Sequence, residues 1–371
     1  MATSRLLRPA NHCLRTARHT PTRTYTSSPP PTAPHTSPFA PRHLLSIADL
    51  TPHELTTLIR TAATHKQSIK SGHVPPTLTN ALLGQTIALL FTKRSTRTRV
   101  STEAAVALLQ GHPMFLGSQD IQLGVNESLH DTSVVISSMV SALVARVDAH
   151  EDVVGLAKHS SVPVINALSD AFHPLQTIAD YLTIHEAFPS TSKESAASKS
   201  ETSDGLGLEG LKIAWIGDAN NVLFDLALGA AKLGVQLSVA TPKGYEIPSH
   251  MRELITSASP TAFLTETNVP EEAVKDADIL VTDTWISMGQ ESSKGQKMSD
   301  FAGFQITKEL AQRGGAKQGW RFMHCLPRKP EEVSDEVFYS PASLVFQEAE
   351  NRLWAALAVL EAFVVNKGKI V

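Results

Sequence analysis

Phe91-Thr-Lys-Arg-Ser-Thr-Arg-Thr-Arg-Val-Ser101 is the stretch on which the reading of the fold turns. Ahead of its polar part runs Thr86-Ile-Ala-Leu-Leu-Phe91, an apolar segment of strand length. Behind it, Val100 to Leu109 is rich in Ala and Leu at helical spacing, with Ser95 or Thr96 available as the cap and Gly111 as the stop. The hydroxyls and arginines therefore fall where a buried strand hands over to a helix. There the free N–H groups of the first turn, the positive end of the helix dipole and a guanidinium meet, which suits a phosphate. A merely solvated basic helix start is the alternative. Alternation of hydroxyls with arginines at a strand-to-helix turn favours the anion site. The glycines of a Walker loop are missing, so side chains take the place of a Gly-rich backbone.

The 371 residues suffice for two domains, each with its own core. Acids and bases nearly balance, with a formal net charge of -3, which argues against a general nucleic-acid binder. No apolar stretch approaches a membrane span, and no membrane partner is expected. The beginning of the chain differs from the rest. Arg5, Arg8, Arg15, Arg18 and Arg23 lie among many Ser and Thr, and no acid precedes Asp49. Residues 1–38 are expected to be a mitochondrial transit segment, an ordinary unstructured tail being the alternative, and the matrix the destination. Cys13 and Cys325 are the two cysteines, so the folded part holds one thiol, and neither an internal disulfide nor a Cys-based zinc site is expected.

The expected organisation is α/β: two doubly wound parallel-sheet domains joined by helices, with the active site in the cleft between them. The first domain spans 39–185. Thr51-Pro52-His-Glu54 opens a helix running to about Ser71, and Met114 to Leu116 is a short strand. Gln119 to Ser128 reads as a loop, and Glu127 to Met139 as a helix. Arg146 interrupts the apolar strand Ala142 to Val147. It is either half of a buried ion pair or, the preferred reading, a group at the strand's carboxyl end facing a ligand crevice. After the strand Val162 to Asn166, Pro174 opens a helix with His173 at its cap and Gln176 in its first turn. Residues 186–210, rich in Ser, Lys, Glu and Gly from 189 to 207, are expected to be a solvated insertion or linker.

The second domain spans 211–346. Lys212 to Gly217 is a strand leading to a turn with Asn220 and Asn221, and the G-x-G-x-x-G fingerprint is absent, which argues against a dinucleotide. Ala277 to Thr282 is another strand with Asp283 at its end, followed by a glycine- and serine-rich loop carrying Ser287 and Met288. Trp320 to Pro327 is a strand and its exit, with His324 and Cys325 at the end. Residues 347–371 hold a helix, Glu348 to Phe363, returning toward the first domain, with Arg352 near its start. A cation there opposes the dipole, so an anionic partner is expected: a carboxylate, or a substrate phosphate or carboxyl.

Ser95-Thr-Arg-Thr-Arg99, His173-Pro-Leu-Gln176, Asp283-Thr-Trp-Ile-Ser-Met-Gly289, His324-Cys-Leu-Pro-Arg328 and Glu348-Ala-Glu-Asn-Arg352 together resemble the aspartate/ornithine carbamoyltransferase family. The resemblance covers about residues 43 to 366. The Ser-Met-Gly segment and the cysteine of His-Cys-Leu-Pro point to its ornithine branch. The resemblance implies that Ser95, Thr96, Arg97 and Thr98 hold the phosphate of carbamoyl phosphate. It implies that Arg146, His173 and Gln176 contact the carbamoyl end, and that Cys325, Leu326 and Arg352 complete the site. Asn221, Asp283, Ser287 and Met288 would hold L-ornithine. Catalysis would rest on Arg97, Arg146, His173, Asp283 and Cys325. A homotrimer is also implied, with Gln122 standing where some members carry a His that reaches a neighbouring subunit's phosphate. No metal, nucleotide or other cofactor is implied. The expected reaction is attack of the ornithine δ-amine on carbamoyl phosphate, giving citrulline and phosphate. Another amine acceptor (aspartate, putrescine or an acylated ornithine) is the alternative. A binding protein without turnover and a dehydrogenase are the readings from other classes.

Overall fold

In the computed structural model, which describes residues 40–119, 127–189, 205–259, 261, 263–286 and 294–370, the first helix is α1 (Pro52–Lys70). Thr51 caps it in the expected box: the Thr51 hydroxyl accepts from Glu54 N, and the Glu54 carboxylate accepts from Thr51 N. The first lobe then alternates strand and helix: β1 (Thr86–Phe91), α2 (Thr96–Leu108), β2 (His112–Gly117), α3 (Leu129–Ser137), β3 (Ala142–Arg146), α4 (His150–His159), β4 (Val164–Leu168) and α5 (Pro174–Ala187). The pairings are parallel, in the order β2-β1-β3-β4. The order reverses between β1 and β3, and their carboxyl ends lie side by side with Phe91 opposite Arg146. That is the switch point where open α/β sheets bind ligands.

The second lobe repeats the scheme with β5 (Lys212–Ile216), α6 (Asn221–Leu233), β6 (Gln236–Ala240), α7 (Ser249–Ser257), β7 (Leu264–Thr267), α8 (Pro270–Val274), β8 (Ile279–Val281), α9 (Lys294–Asp300), α10 (Lys308–Gly314), β9 (Arg321–Met323) and α11 (Asp335–Phe338). Its parallel order is β7-β6-β5-β8-β9, so the reversal lies between β5 and β8. Asn220 and Asn221 follow β5, and Asp283 follows β8. Both switch points thus carry polar residues that the sequence singles out. The last long helix, α12 (Val345–Leu360), lies on the first lobe: Asn351 and Glu350 reach Lys66 and Lys70 of α1, and Arg352 reaches α2 and α5.

The lobes meet closely at α5 and α6. A Cβ on Gly229 of α6 would lie 2.3 Å from Cε2 of Tyr181, a fully buried ring whose hydroxyl donates to the carbonyl of Leu226. Gly229→Ala raises helix propensity, yet it is expected to lower stability by about 1–3 kcal/mol through overpacking. A thermal melt of the variant checks this; an unchanged or higher midpoint would show that the helices can part freely.

Three local expectations differ from the fold. Gly111 does not supply a left-handed stop for α2: Gln110 takes that conformation, with φ 62°. Gly111 is needed for space instead, because a Cβ there would lie 2.9 Å from Cβ of Leu82. Helix α12 starts a turn before Glu348, so Arg352 lies in its third turn and the dipole argument for its partner does not hold. The strand at Met114 is longer than expected, because the full segment His112–Gly117 registers against β1. The expected transit segment, most of the loop 119–128, and 190–204 of the insertion lie outside the described residues.

Candidate active site

Ser95 is the cap of α2: its hydroxyl accepts from Thr98 N and contacts the Thr98 hydroxyl at 3.0 Å. The first turn of α2, with Thr96 and Arg97, therefore opens toward the carboxyl ends of β1 and β3. Arg97 stretches across to the second lobe and donates from Nη2 to the Leu326 carbonyl at 2.5 Å. Arg352 comes from α12 and donates to Gln176 Oε1 at 2.5 Å and to the Thr98 hydroxyl at 3.3 Å. Arg146 ends β3, 8 % exposed. Among the described residues, Nε of Arg146, Nε of Arg352 and Nδ1 of His173 are buried without a hydrogen-bond partner.

Three guanidiniums thus converge, and the hydrogen bonds of Arg97 and Arg352 end on neutral oxygens. None of the three forms a salt bridge among the described residues. Burial, with Arg352 and Arg97 as like-charged neighbours, pushes Arg146 down to about 10. Burial does the same to Arg352, also to about 10. The imidazole of His173 is held well below its usual range by burial and then by Arg352, Arg146 and Arg97, so it is neutral at pH 7. Buried cations facing one another are costly unless an anion joins them. Such a cluster is chemically suited to an anionic ligand.

On the second-lobe side, Asp283 accepts from the Cys325 thiol at 2.9 Å and from Asn220 Nδ2 at 2.9 Å. Burial, reinforced by Asp283, drives the thiol well above its usual pKa. Cys325 is therefore a hydrogen-bond donor at neutral pH, not a thiolate nucleophile. Asp283 has lone pairs left for a cationic or amine ligand. Asn221 donates to the Ser169 carbonyl at 2.6 Å, tying the second lobe to the first. Arg97, Leu326, Cys325 and Asp283 form one continuous chain of contacts across the cleft, with Arg146 and His173 in electrostatic reach. Ser287, Met288 and Gln122 lie outside the described residues.

Gln176, which the sequence singles out, joins two buried carboxyls that the sequence leaves without a role, Asp180 and Glu348, and Asp225 is a third such group. Gln176 donates to Asp180 at 2.7 Å and to Glu348 at 3.0 Å while accepting from Arg352. Glu348 also accepts from His324 N, joining α12 to the loop after β9 that carries Cys325. Asp225, buried in α6, accepts from Ser46 Oγ, Ile47 N and His173 N. A lone carboxylate in the apolar run Val222-Leu-Phe-Asp-Leu-Ala-Leu228 was the available signal.

Asp180 and Glu348 share the Gln176 amide in a buried site, and burial raises both carboxyls, Asp180 to about 7. The folded state then holds a proton that the unfolded chain releases near pH 4. This contribution to stability is fully present below that pH and is lost as pH rises through about 7. Asp180→Asn is expected to flatten the fall of the melting temperature between pH 5 and 8. An identical slope in wild type and variant would refute the assignment.

Comparison with known proteins settles the family. The profile of the aspartate/ornithine carbamoyltransferase carbamoyl-P binding domain matches residues 42–186, and that of the Asp/Orn binding domain matches residues 209–363. The chain belongs to the aspartate/ornithine carbamoyltransferase family. The mitochondrial ornithine carbamoyltransferase of Emericella nidulans is 67% identical over 357 residues, covering 95% of this chain and 96% of that protein. That of Coccidioides immitis is 68% identical over 339 residues, covering 90% of this chain and 96% of that one. The crystal structure of a mitochondrial ornithine carbamoyltransferase from Coccidioides immitis superposes with a TM-score of 0.82 at 64% identity, covering 89% of this chain and all of the other. The ornithine carbamoyltransferase of Pyrococcus furiosus superposes with a TM-score of 0.78 at 42% identity, covering 88% and 98%. The carbamoyltransferase family thus unites the two sheets, and each switch point falls within one of its two domain profiles.

Proposed function

We infer that this carbamoyltransferase moves the carbamoyl group of carbamoyl phosphate to the δ-amine of L-ornithine, giving L-citrulline and phosphate. The observation that carries the site is the cluster of Arg97, Arg146 and Arg352: the hydrogen bonds of Arg97 and Arg352 go to neutral oxygens, Nε of Arg146 has no partner among the described residues, and the positive charge is left for a dianion. The high identity to ornithine carbamoyltransferases supports the acceptor.

In this reading Ser95, Thr96, Arg97 and Thr98 bind the phosphate at the helix start, with Arg352 behind them. Neutral His173 and Arg146 take the carbonyl oxygen, where negative charge grows as the amine adds. Gln176 holds Arg352 and presents its remaining lone pair to the carbamoyl amide. The peptide of Leu326 and the Cys325 thiol frame the other side. Ornithine enters with its amino-acid end toward Asn221, Ser287 and Met288. An alkyl amine has a pKa of about 10 and must lose a proton before it attacks. The arginines disfavour its ammonium form, and Asp283 is placed to accept the proton. The new C–N bond forms, the nitrogen's surplus proton passes to the phosphate oxygen as the carbon–oxygen bond breaks, and hydrogen phosphate leaves with its charge paired by guanidiniums.

A homotrimer with Gln122 reaching a neighbour's phosphate completes the proposal. It is supported by exposed apolar side chains on the first lobe: Val100, Met114, Val134, Val135 and Met139. The N-terminal composition and the mitochondrial relatives support residence in the matrix. Citrulline formation from carbamoyl phosphate and ornithine, set beside aspartate, putrescine and N-acetylornithine, tests the acceptor. Turnover of another amine without citrulline from ornithine would overturn it. Light scattering of the purified protein tests the trimer.

A further inference from the structure

We propose that the buried pair Glu332 and His324 is the positioning device that holds the two amine-facing loops of the second lobe in register. The proposal deepens the carbamoyl-transfer reading and rests on it. Both side chains are completely buried, so neither touches substrate.

His324 follows β9 and precedes Cys325. Its Nδ1 accepts from Leu326 N at 2.9 Å. That leaves Nε2 as the protonated nitrogen, which donates to Glu332 Oε2 at 3.1 Å. Glu332 takes two further donors: Lys329 N at 2.7 Å on the same oxygen, and Trp285 N at 3.1 Å on the other. Its backbone is fixed in turn, because its carbonyl accepts from Ile306 N. One carboxylate therefore ties the loop of Asp283 and Trp285 to the loop of Cys325 and Leu326. Those loops must meet closely, since Cys325 donates to Asp283 at 2.9 Å.

The Leu326 peptide shows why a clamp is needed. Leu326 sits at φ 63°, a left-handed conformation that a bulky side chain disfavours. Its N–H is held by His324, and its carbonyl is held by Arg97 from the other lobe. Without His324 the Leu326 peptide is free to turn. The acceptor for Arg97 and the direction of the Cys325 thiol would both move.

The test uses the folded enzyme with Cys13→Ser as background, leaving Cys325 as its one thiol. Asparagine at 324 still offers an acceptor to the N–H two residues on, as in an Asx turn, but cannot reach Glu332. Alanine offers neither. His324→Ala and Glu332→Gln are expected to lower kcat by about 10–100-fold, with KM for carbamoyl phosphate changing much less, because misplacement of about 1 Å costs that much. His324→Asn should recover part of the loss. Alkylation of Cys325 by iodoacetamide at pH 8 should quicken at least several-fold in the alanine and glutamine variants, as the thiol leaves Asp283. Unchanged kcat and alkylation in folded His324→Ala and Glu332→Gln would overturn the proposal. So would an asparagine variant no better than alanine. Should the wild-type protein form no citrulline, the acceptor reading falls, and the alkylation rates alone decide the clamp.

Discussion

Arg146→Met is expected to lower kcat by about 10³-fold while leaving the ligand-free protein as stable as before, or more so. Arg146 is buried beside two other guanidiniums, with Nε unpartnered among the described residues. Methionine fills the stem's volume and removes the charge. Replacing a buried ion by an apolar side chain of similar size is commonly neutral or stabilising by about 1–4 kcal/mol. In a chain of this size each kcal/mol corresponds to about 2 °C in melting temperature. The catalytic loss has the opposite sign, because one strong donor to a developing oxyanion is worth about 10²–10³ in rate. Two measurements check the idea together. Steady-state kinetics should show the fall in kcat. Melting curves should show that carbamoyl phosphate raises the wild-type midpoint far more than the variant's. A variant that loses stability and activity in parallel would mean that Arg146 is half of a structural pair.

Asp283→Asn is expected to cut kcat/KM for ornithine by about 10³-fold or more, and Cys325→Ser much less. Both Asp283 oxygens accept, one from Cys325 and one from Asn220. An asparagine has one accepting oxygen, and its amide would face a donor. A charge-assisted contact to a cationic amine is worth about 1.5–3 kcal/mol, and loss of the proton acceptor removes about 10²–10⁴ more. Cys325 is held as a thiol by burial and by Asp283, so a serine keeps its donor role. The two variants assayed across pH 6–9 with ornithine varied give the ranking. A serine variant as impaired as the asparagine one would assign the proton transfer to the thiol.

How much of this was legible in the chain depends on the range of the forces involved. The anion site was visible because its parts are local: the Ser95 cap, the first turn of α2 and Arg97 all lie within one strand-to-helix turn. Thr51 and Glu54 were legible for the same reason. Asp283 and Cys325 stood out at strand ends and Arg352 near a helix start, and the motif resemblance added the roles of all three. For Arg352 only the dipole argument fails, because its helix begins earlier than Glu348; its protein partners are Thr98 and Gln176 of the first lobe. Glu332, Asp225 and Glu348 went unassigned because a carboxylate in sequence does not announce which backbone N–H groups will surround it.

Periodicity and cap chemistry, which act between near neighbours along the chain, determined the α/β alternation, the two sheets and the helix start that receives a phosphate. Tertiary structure decided the rest. Only the closing of α12 onto α2 and α5 brings Arg352 to Gln176 and Thr98, beside Arg146 and Arg97, and only the meeting of the two switch points places Asp283 across from them. Those arrangements depend on desolvation and on contacts between residues far apart in the chain, and both arise when the lobes pack.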